Sequence, residues 1–140
     1  MRPGSTWARY PRAMAGPSSA PFLLAARFFA VATVFVVVVS FGTAGVLVQE
    51  GRAEDIHGYA AIALHVVTAG LLVSLGGFVY ARRRHWWTAI VAALLLMYTF
   101  IQAQLGDGAT LDLHIPGALL VAIASVWLTA WVFTARPDGV

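Results

Sequence analysis

Residues 28–48 read FFAVATVFVVVVSFGTAGVLV, a run without one charged side chain. A helix rises about 1.5 Å per residue, so a run of this length covers the roughly 30 Å hydrocarbon core of a bilayer. The run is apolar on every side, which a surface helix of a soluble domain is not. Three further stretches have the same character, residues 57–80, 86–104 and 113–134. Four such segments joined by short loops predict an all-α fold, an integral membrane up-and-down four-helix bundle occupying residues 22–135.

Composition agrees. Of 140 residues 60% are hydrophobic and 11% are charged, and mean hydropathy is +0.80; a soluble domain needs about a quarter charged residues to cover its surface. Residues 1–21 are rich in Pro, Ser, Gly and Arg, which predicts a flexible N-terminal segment, and residues 136–140 form a tail. The first apolar run is too long for a cleavable signal and no small-residue cleavage site precedes Gln49, so it reads as a retained span. With no cysteine, thiolate metal sites, Cys-ligated iron–sulfur clusters, covalent haem attachment and thiol nucleophiles are excluded. No Ser/His/Asp grouping or phosphate loop falls at a common depth, which argues against hydrolase and transferase chemistry.

The net charge of +3 does not imply nucleic acid, because the arginines are distributed by topology. Arg2, Arg9, Arg12 and Arg27 precede the first span, Arg82, Arg83 and Arg84 separate the second from the third, and Arg136 follows the fourth. Glu50, Glu54, Asp55, Asp107 and Asp112 lie in the other two loops, where Arg52 is the only basic residue. The positive-inside rule then predicts both termini in the cytoplasm, in the plasma membrane, with the acidic loops outside. Trp86, Trp87 and Trp131 suit the inner interface. Gly70, Ser74 and Gly77, and Ala118, Ala122 and Ser125, are small residues suited to close helix packing.

The chemistry left to such a chain rests on histidine. His57 and His114 each open a span that runs inward, so they are expected at nearly equal depth below the outer surface. Two imidazoles so placed, on neighbouring or diagonal helices, are able to ligate one b-type haem from opposite faces, with Arg52 and loop amides near its propionates. The bland alternative is two interfacial histidines satisfied by water or loop carbonyls. His65 lies eight residues beyond His57, about 12 Å deeper and about 80° around the helix. It is therefore a candidate contact for a haem edge, a quinone or a backbone carbonyl rather than a ligand beside His57. A second haem on this span would need histidines about four turns apart. His85 adjoins the arginine run and reads as a boundary residue. Glu54 and Asp55 at the mouth of the second span read as caps, with Glu54, one turn from His57, also a candidate proton-handling carboxylate. Asp112 reads as a cap, and Gln102 and Gln104 close the third span, where an amide could reach a ligand.

Three local patterns converge: Glu54-Asp55-Ile56-His57, Gln102-Ala103-Gln104-Leu105-Gly106, and His114-Ile115-Pro116-Gly117-Ala118. Together they resemble one half of the heme A synthase family, and small actinobacterial four-helix membrane proteins that share the Gln…Leu-Gly…His ending. The resemblance spans residues 22–135. It implies haem-ligating histidines at the outer ends of the second and fourth helices, here His57 and His114, and a functional carboxylate matching Glu54. The chain has one bundle where that family has two, Gly58 where it usually has Arg, and no external cysteine pair. A complete heme A synthase activity is not expected of one bundle without a homo- or hetero-oligomer.

Two functions follow as expectations. The first is a membrane b-type haem protein, passing electrons or handling haem, that exchanges electrons with a quinone or a membrane oxidoreductase complex. The second is a non-catalytic subunit or assembly partner without its own cofactor. A small transporter has little support, since no span carries an intramembrane carboxylate or arginine and none is Gly/Pro-interrupted in a matched pair.

Overall fold

The computed structural model describes residues 18–106 and 108–137. It contains four long helices: α1 (Ala20–Glu50), α2 (Glu54–Arg82), α3 (Trp86–Gln104) and, after a 3-10 turn at Gly108–Thr110, α4 (Leu111–Thr134). All four are long and apolar enough to cross a membrane. Much of the flexible segment expected at residues 1–21, with Arg2, Arg9 and Arg12, lies outside the described residues, as does Asp107.

The helix ends have local causes. α1 takes in Ala20 and Pro21, ahead of the expected start at 28, and proline is well placed there because its missing N–H is one of the amides a first turn leaves free. α1 stops at Gly51, whose left-handed backbone (φ +64°) lets its N–H return to the Leu47 carbonyl at 2.9 Å. Ala53, Arg83 and His85 also have positive φ, so each of the two tight connections α1–α2 and α2–α3 turns on a non-glycine residue in the left-handed region.

The helices pack as a ring in chain order, each against its neighbours and α4 against α1, with no backbone-level contact across either diagonal among the described residues. One end of the bundle carries the α1–α2 and α3–α4 connections and the other carries the α2–α3 connection and the end of α4; they are called here the histidine end and the arginine end.

The arginine end is the tightly built one. Gly70 and Gly77 on α2 receive the rings of Phe29 and Phe22 from α1, and a Cβ at either glycine would overlap the ring. Two aromatic knobs seven residues apart thus seat in two glycine holes with the same spacing. Leu23, Ala26, Leu71, Leu75, Phe78, Leu95 and Leu128 are buried around this layer. Arg27 reaches from α1 to the C-terminus of α4, its Nε donating to Val132 O at 3.0 Å and its Nη2 to Ala135 O at 2.9 Å. Arg82 Nη1 donates to Pro137 O at 2.9 Å, and Ser19 also bonds that carbonyl. Helix-end carbonyls that would otherwise lack partners are met by cations, the favourable sign for a helix C-terminus. His85 is part of this end: it stacks on Phe78 (centroids 6.5 Å apart) and meets Trp131 edge-on at 5.4 Å. It is a packed member of an aromatic cluster as well as a boundary residue.

Four buried hydroxyls are satisfied within their own helices. Thr33 donates to Phe29 O, Thr68 to Leu64 O, Ser74 to Gly70 O and Ser125 to Val121 O, each at 2.7 Å, which leaves no unpaired proton in an apolar setting. The large side chains Phe28, Phe35, Ile62, Val73 and Leu94 point outward, as lipid contact would favour.

Candidate functional site

The site is assembled at the histidine end, where α2 and α4 begin. Each starts beside a short connection, so a histidine in or near its first turn is brought to the mouth of the ring. His57 (α2) and His114 (α4) face one another across the diagonal that the helix backbones do not bridge, with ring centroids 6.4 Å apart and ring planes at 73°. Both are half-buried.

Each ring is held through Nδ1. His114 Nδ1 lies 3.0 Å from the backbone carbonyl of Gln102. A carbonyl only accepts, so His114 carries its proton on Nδ1 and leaves Nε2 with a free lone pair. His57 Nδ1 lies 3.0 Å from Thr43 Oγ1. The Thr43 hydroxyl also reaches Val39 O (3.0 Å) and Ser40 O (3.1 Å), so with its proton on either carbonyl the oxygen accepts from His57 Nδ1–H. The carbonyl contact favours an unprotonated Nε2 on His114, and the hydroxyl of Thr43 is compatible with the same tautomer on His57.

Two side chains, Gln102 and His65, carry buried polar atoms without a hydrogen-bond partner. The Gln102 side chain is only 6% exposed, and neither its Oε1 nor its Nε2 makes a hydrogen bond. Its amide lies across the backbone of α4 at Gly117, where a Cβ would overlap it and would also approach Tyr98 Oη to 2.7 Å. Gly117 is the glycine the site needs, for close approach rather than for φ. His65 Nε2 is buried and unbonded, and its ring stacks on Phe100 with centroids 4.0 Å apart.

The remaining predicted residues are less engaged. Glu54 and Asp55 are exposed in the first turn of α2 and Asp112 in that of α4. The hydrogen-bonded caps expected of them are not formed, because the cap positions are Ala53 and Thr110; the carboxylates act there through charge at the positive helix end. Arg52 is exposed and ion-paired with Glu50 across the Gly51 turn. Gln104 is exposed, and Gly58 faces open space. No group of three or more His, Asp or Glu side chains gathers among the described residues.

Thr43 is the residue that the sequence reading overlooked. Its signal is the break Gly42-Thr43-Ala44-Gly45 in an otherwise valine-rich run, at the level of α1 that antiparallel pairing brings opposite the start of α2.

No protein-family model, curated protein or solved structure matches the chain.

Proposed function

We propose that the chain is a multi-pass plasma-membrane protein, with both termini cytoplasmic, that holds one b-type haem between His57 and His114 near the outer face and uses it to pass electrons or to handle haem for a membrane oxidoreductase complex. The observation that carries this reading is the separation of the two rings. A metal–imidazole nitrogen bond of about 2.0–2.1 Å and a ring radius of about 1.1 Å mean that two imidazoles sharing one metal ion would have centroids up to about 6.3 Å apart; the rings here, 6.4 Å apart, are close enough for His57 and His114 to hold one ion between them. The Nδ1 contacts support it further, since a ligating histidine ordinarily donates its other N–H to an acceptor that fixes the ring, and the Gln102 carbonyl and Thr43 Oγ1 are each able to accept.

A bound haem would supply a one-electron couple whose potential is set by axial ligands, burial and hydrogen bonding. The chain's own residues do the rest. Thr43 Oγ1 and the Gln102 carbonyl hold the two rings and keep each Nε2 free to ligate. The unpartnered amide of Gln102 and Nε2 of His65 are hydrogen-bonding capacity left within the bundle for a haem edge, a quinone or water. Arg52 stands at the mouth, where exchanging Glu50 for a propionate costs little because an exposed ion pair is weak. Glu54, one turn from His57 and open to water, is placed to exchange protons with solvent.

The orientation rests on the arginine and carboxylate asymmetry of the loops. The resemblance to one heme A synthase bundle favours the same pair of ligands. The full reaction of that family would need a second haem pocket and therefore an oligomer.

The test is the visible spectrum of the detergent-purified protein, oxidised and dithionite-reduced, with a pyridine haemochrome. A Soret band with sharp reduced α and β bands is expected, lost or converted to a high-spin form in His57→Ala and His114→Ala. A full haem complement in His57→Ala overturns the ligand assignment. A colourless protein from haem-replete cells overturns the haem reading, and its co-purification with a larger complex would favour the non-catalytic subunit instead.

A further inference from the structure

The two histidines are held by unlike partners. His114 Nδ1 faces the carbonyl of Gln102 at 3.0 Å, an oxygen that accepts hydrogen bonds and donates none. That carbonyl belongs to the last turn of α3 and also receives the Leu105 N–H at 3.2 Å. It therefore sits at the negative end of a helix and cannot rotate away from the ring. The same residue is fixed a second time, because its buried side chain lies across α4 at Gly117, where a Cβ would overlap it. Gln102 thus meets α4 at two points one turn apart, with its carbonyl at His114 and its amide at Gly117.

His57 has a looser hold. Its partner at 3.0 Å is the hydroxyl of Thr43, whose rotatable proton lets it serve the ring in either sense. With that proton on Val39 O or Ser40 O, the oxygen accepts from Nδ1–H and Nε2 keeps its lone pair. With the proton turned toward Nδ1 the hydroxyl donates, the ring carries its own proton on Nε2, and His57 is no longer a ligand. The surroundings are open as well. A Cβ added at Gly42, Gly45 or Gly58 would meet nothing within 4 Å among the described residues, and the last buried residue of α1 is Val37.

We propose that His114 is the fixed member of the pair and His57 the exchangeable one, so that the His57 face is a binding site for a small uncharged ligand of ferrous iron, a diatomic such as carbon monoxide. This rests on the haem reading of His57 and His114. The exchange breaks one nitrogen–iron bond and forms one carbon–iron bond; each donor supplies one electron pair and the oxidation state stays the same. The released imidazole takes a proton at Nε2 as Nδ1 gives its own to water, and Thr43 turns its hydroxyl to the vacated Nδ1. The position selects its occupant. His57 is half-buried, which penalises a charged ligand, and the carboxylate of Glu54, one turn away in α2, repels an anion.

The experiment uses the full-length, haem-loaded protein in detergent, reduced with dithionite and mixed with carbon monoxide in a stopped-flow spectrometer. Melting and helicity of each haem-free variant are recorded in parallel. Wild type is expected to form the adduct at a rate that levels off with ligand concentration, because departure of a histidine comes first. Thr43→Val should raise that limiting rate about tenfold, the lower edge of the effect of removing a ligating histidine's partner, and Thr43→Ser should restore it. The reduced complement of haem that His57→Ala keeps should be high-spin and bind carbon monoxide without a plateau, and His114→Ala should keep less haem than His57→Ala. A bis-histidine wild type that forms no adduct, a limiting rate unchanged in Thr43→Val, or better haem retention in His114→Ala than in His57→Ala overturns this proposal and leaves the haem reading standing. A wild-type protein that never gives the bis-histidine spectrum overturns both.

Discussion

Replacing Thr43 by valine keeps the branched shape of the side chain and removes one oxygen. That oxygen's contacts with Val39 O and Ser40 O lie within its own helix, so the helix loses little. His57 loses the hydrogen-bond partner 3.0 Å from its Nδ1. With Nε2 engaged by a metal the proton sits on Nδ1, and that half-buried N–H is then unsatisfied, at a cost of about 1–3 kcal/mol. Haem binding bears the loss. Removing a partner of a ligating histidine typically weakens metal affinity about 10–100-fold, which at 1.4 kcal/mol per decade is about 1.4–2.8 kcal/mol, the same range reached from the other side. Titration of the haem-free protein with haemin at the Soret band should therefore give a Kd raised about 10–100-fold in Thr43→Val. In Thr43→Ser, which restores the hydroxyl, it should stay close to wild type. Melting of the haem-free Thr43→Val protein should change little, which separates an effect on the ligand from an effect on the fold. Equal haem affinity in wild type and Thr43→Val would refute the assignment of Thr43 Oγ1 as the group that orients His57.

Two adjacent glycines provide an internal control for the α1–α2 packing: Gly77 lies under the Phe22 ring while Gly76 faces open space. Gly77→Ala should lower thermal stability in detergent by about 1–3 kcal/mol and Gly76→Ala should not, and equal effects would discard the interdigitation. Arg27→Gln removes two charge-assisted bonds to the end of α4, each worth about 1.5–3 kcal/mol at most, so its melting temperature should fall clearly below wild type; an unchanged value would mean that water replaces the guanidinium. The orientation is open to direct labelling because the chain has no cysteine of its own. Arg52→Cys should react with an impermeant maleimide in intact cells and Arg84→Cys only after permeabilisation, and the reverse pattern would invert the topology.

What could be read from the sequence was set by composition at the scale of a span. The apolar runs are long enough that no soluble alternative competes, so four helices and their approximate limits followed from the absence of charge. The ends were less legible. Pro21 reads as a helix breaker in a Pro/Ser/Gly context and as a helix starter once a first turn forms around it. The pairing of His57 with His114 was half legible: equal depth follows from the direction of each span, whereas placement on the diagonal depends on the order of helices around the ring, which no single-chain pattern encodes. Thr43 was missed for a related reason, since a threonine among valines satisfies its own helix in either case, and only the neighbouring start of α2 gives its oxygen a second use. Arg27 was counted as a topological charge, a role it shares with every other arginine of that face; its bonds to Val132 and Ala135 depend on α4 ending beside α1.

Stability and chemistry occupy opposite ends of the bundle, and the residue types at each end explain why they do not compete. At the arginine end the guanidinium groups of Arg27 and Arg82 meet helix-end carbonyls, Ser19 bonds the Pro137 carbonyl, and aromatic rings fill glycine holes. An environment without water penalises any unpaired donor, so such an end resists opening. The unpaired buried atoms are Nε2 of His65 and both polar atoms of Gln102, on the helices that carry or hold a pair of imidazoles whose Nε2 atoms have no hydrogen-bond partner among the described residues. Unspent hydrogen-bonding capacity of this kind destabilises an apolar interior unless something binds there. The tight end therefore has to hold the four helices together while the loose end stays incomplete, and a ligand that engages both histidines would couple α2 to α4 across the diagonal that the helix backbones leave unbridged. Binding to the folded state alone raises its stability by mass action, so haem loading should raise the melting temperature of wild type more than that of His114→Ala; equal shifts in the two would mean that the ligand does not bridge the diagonal.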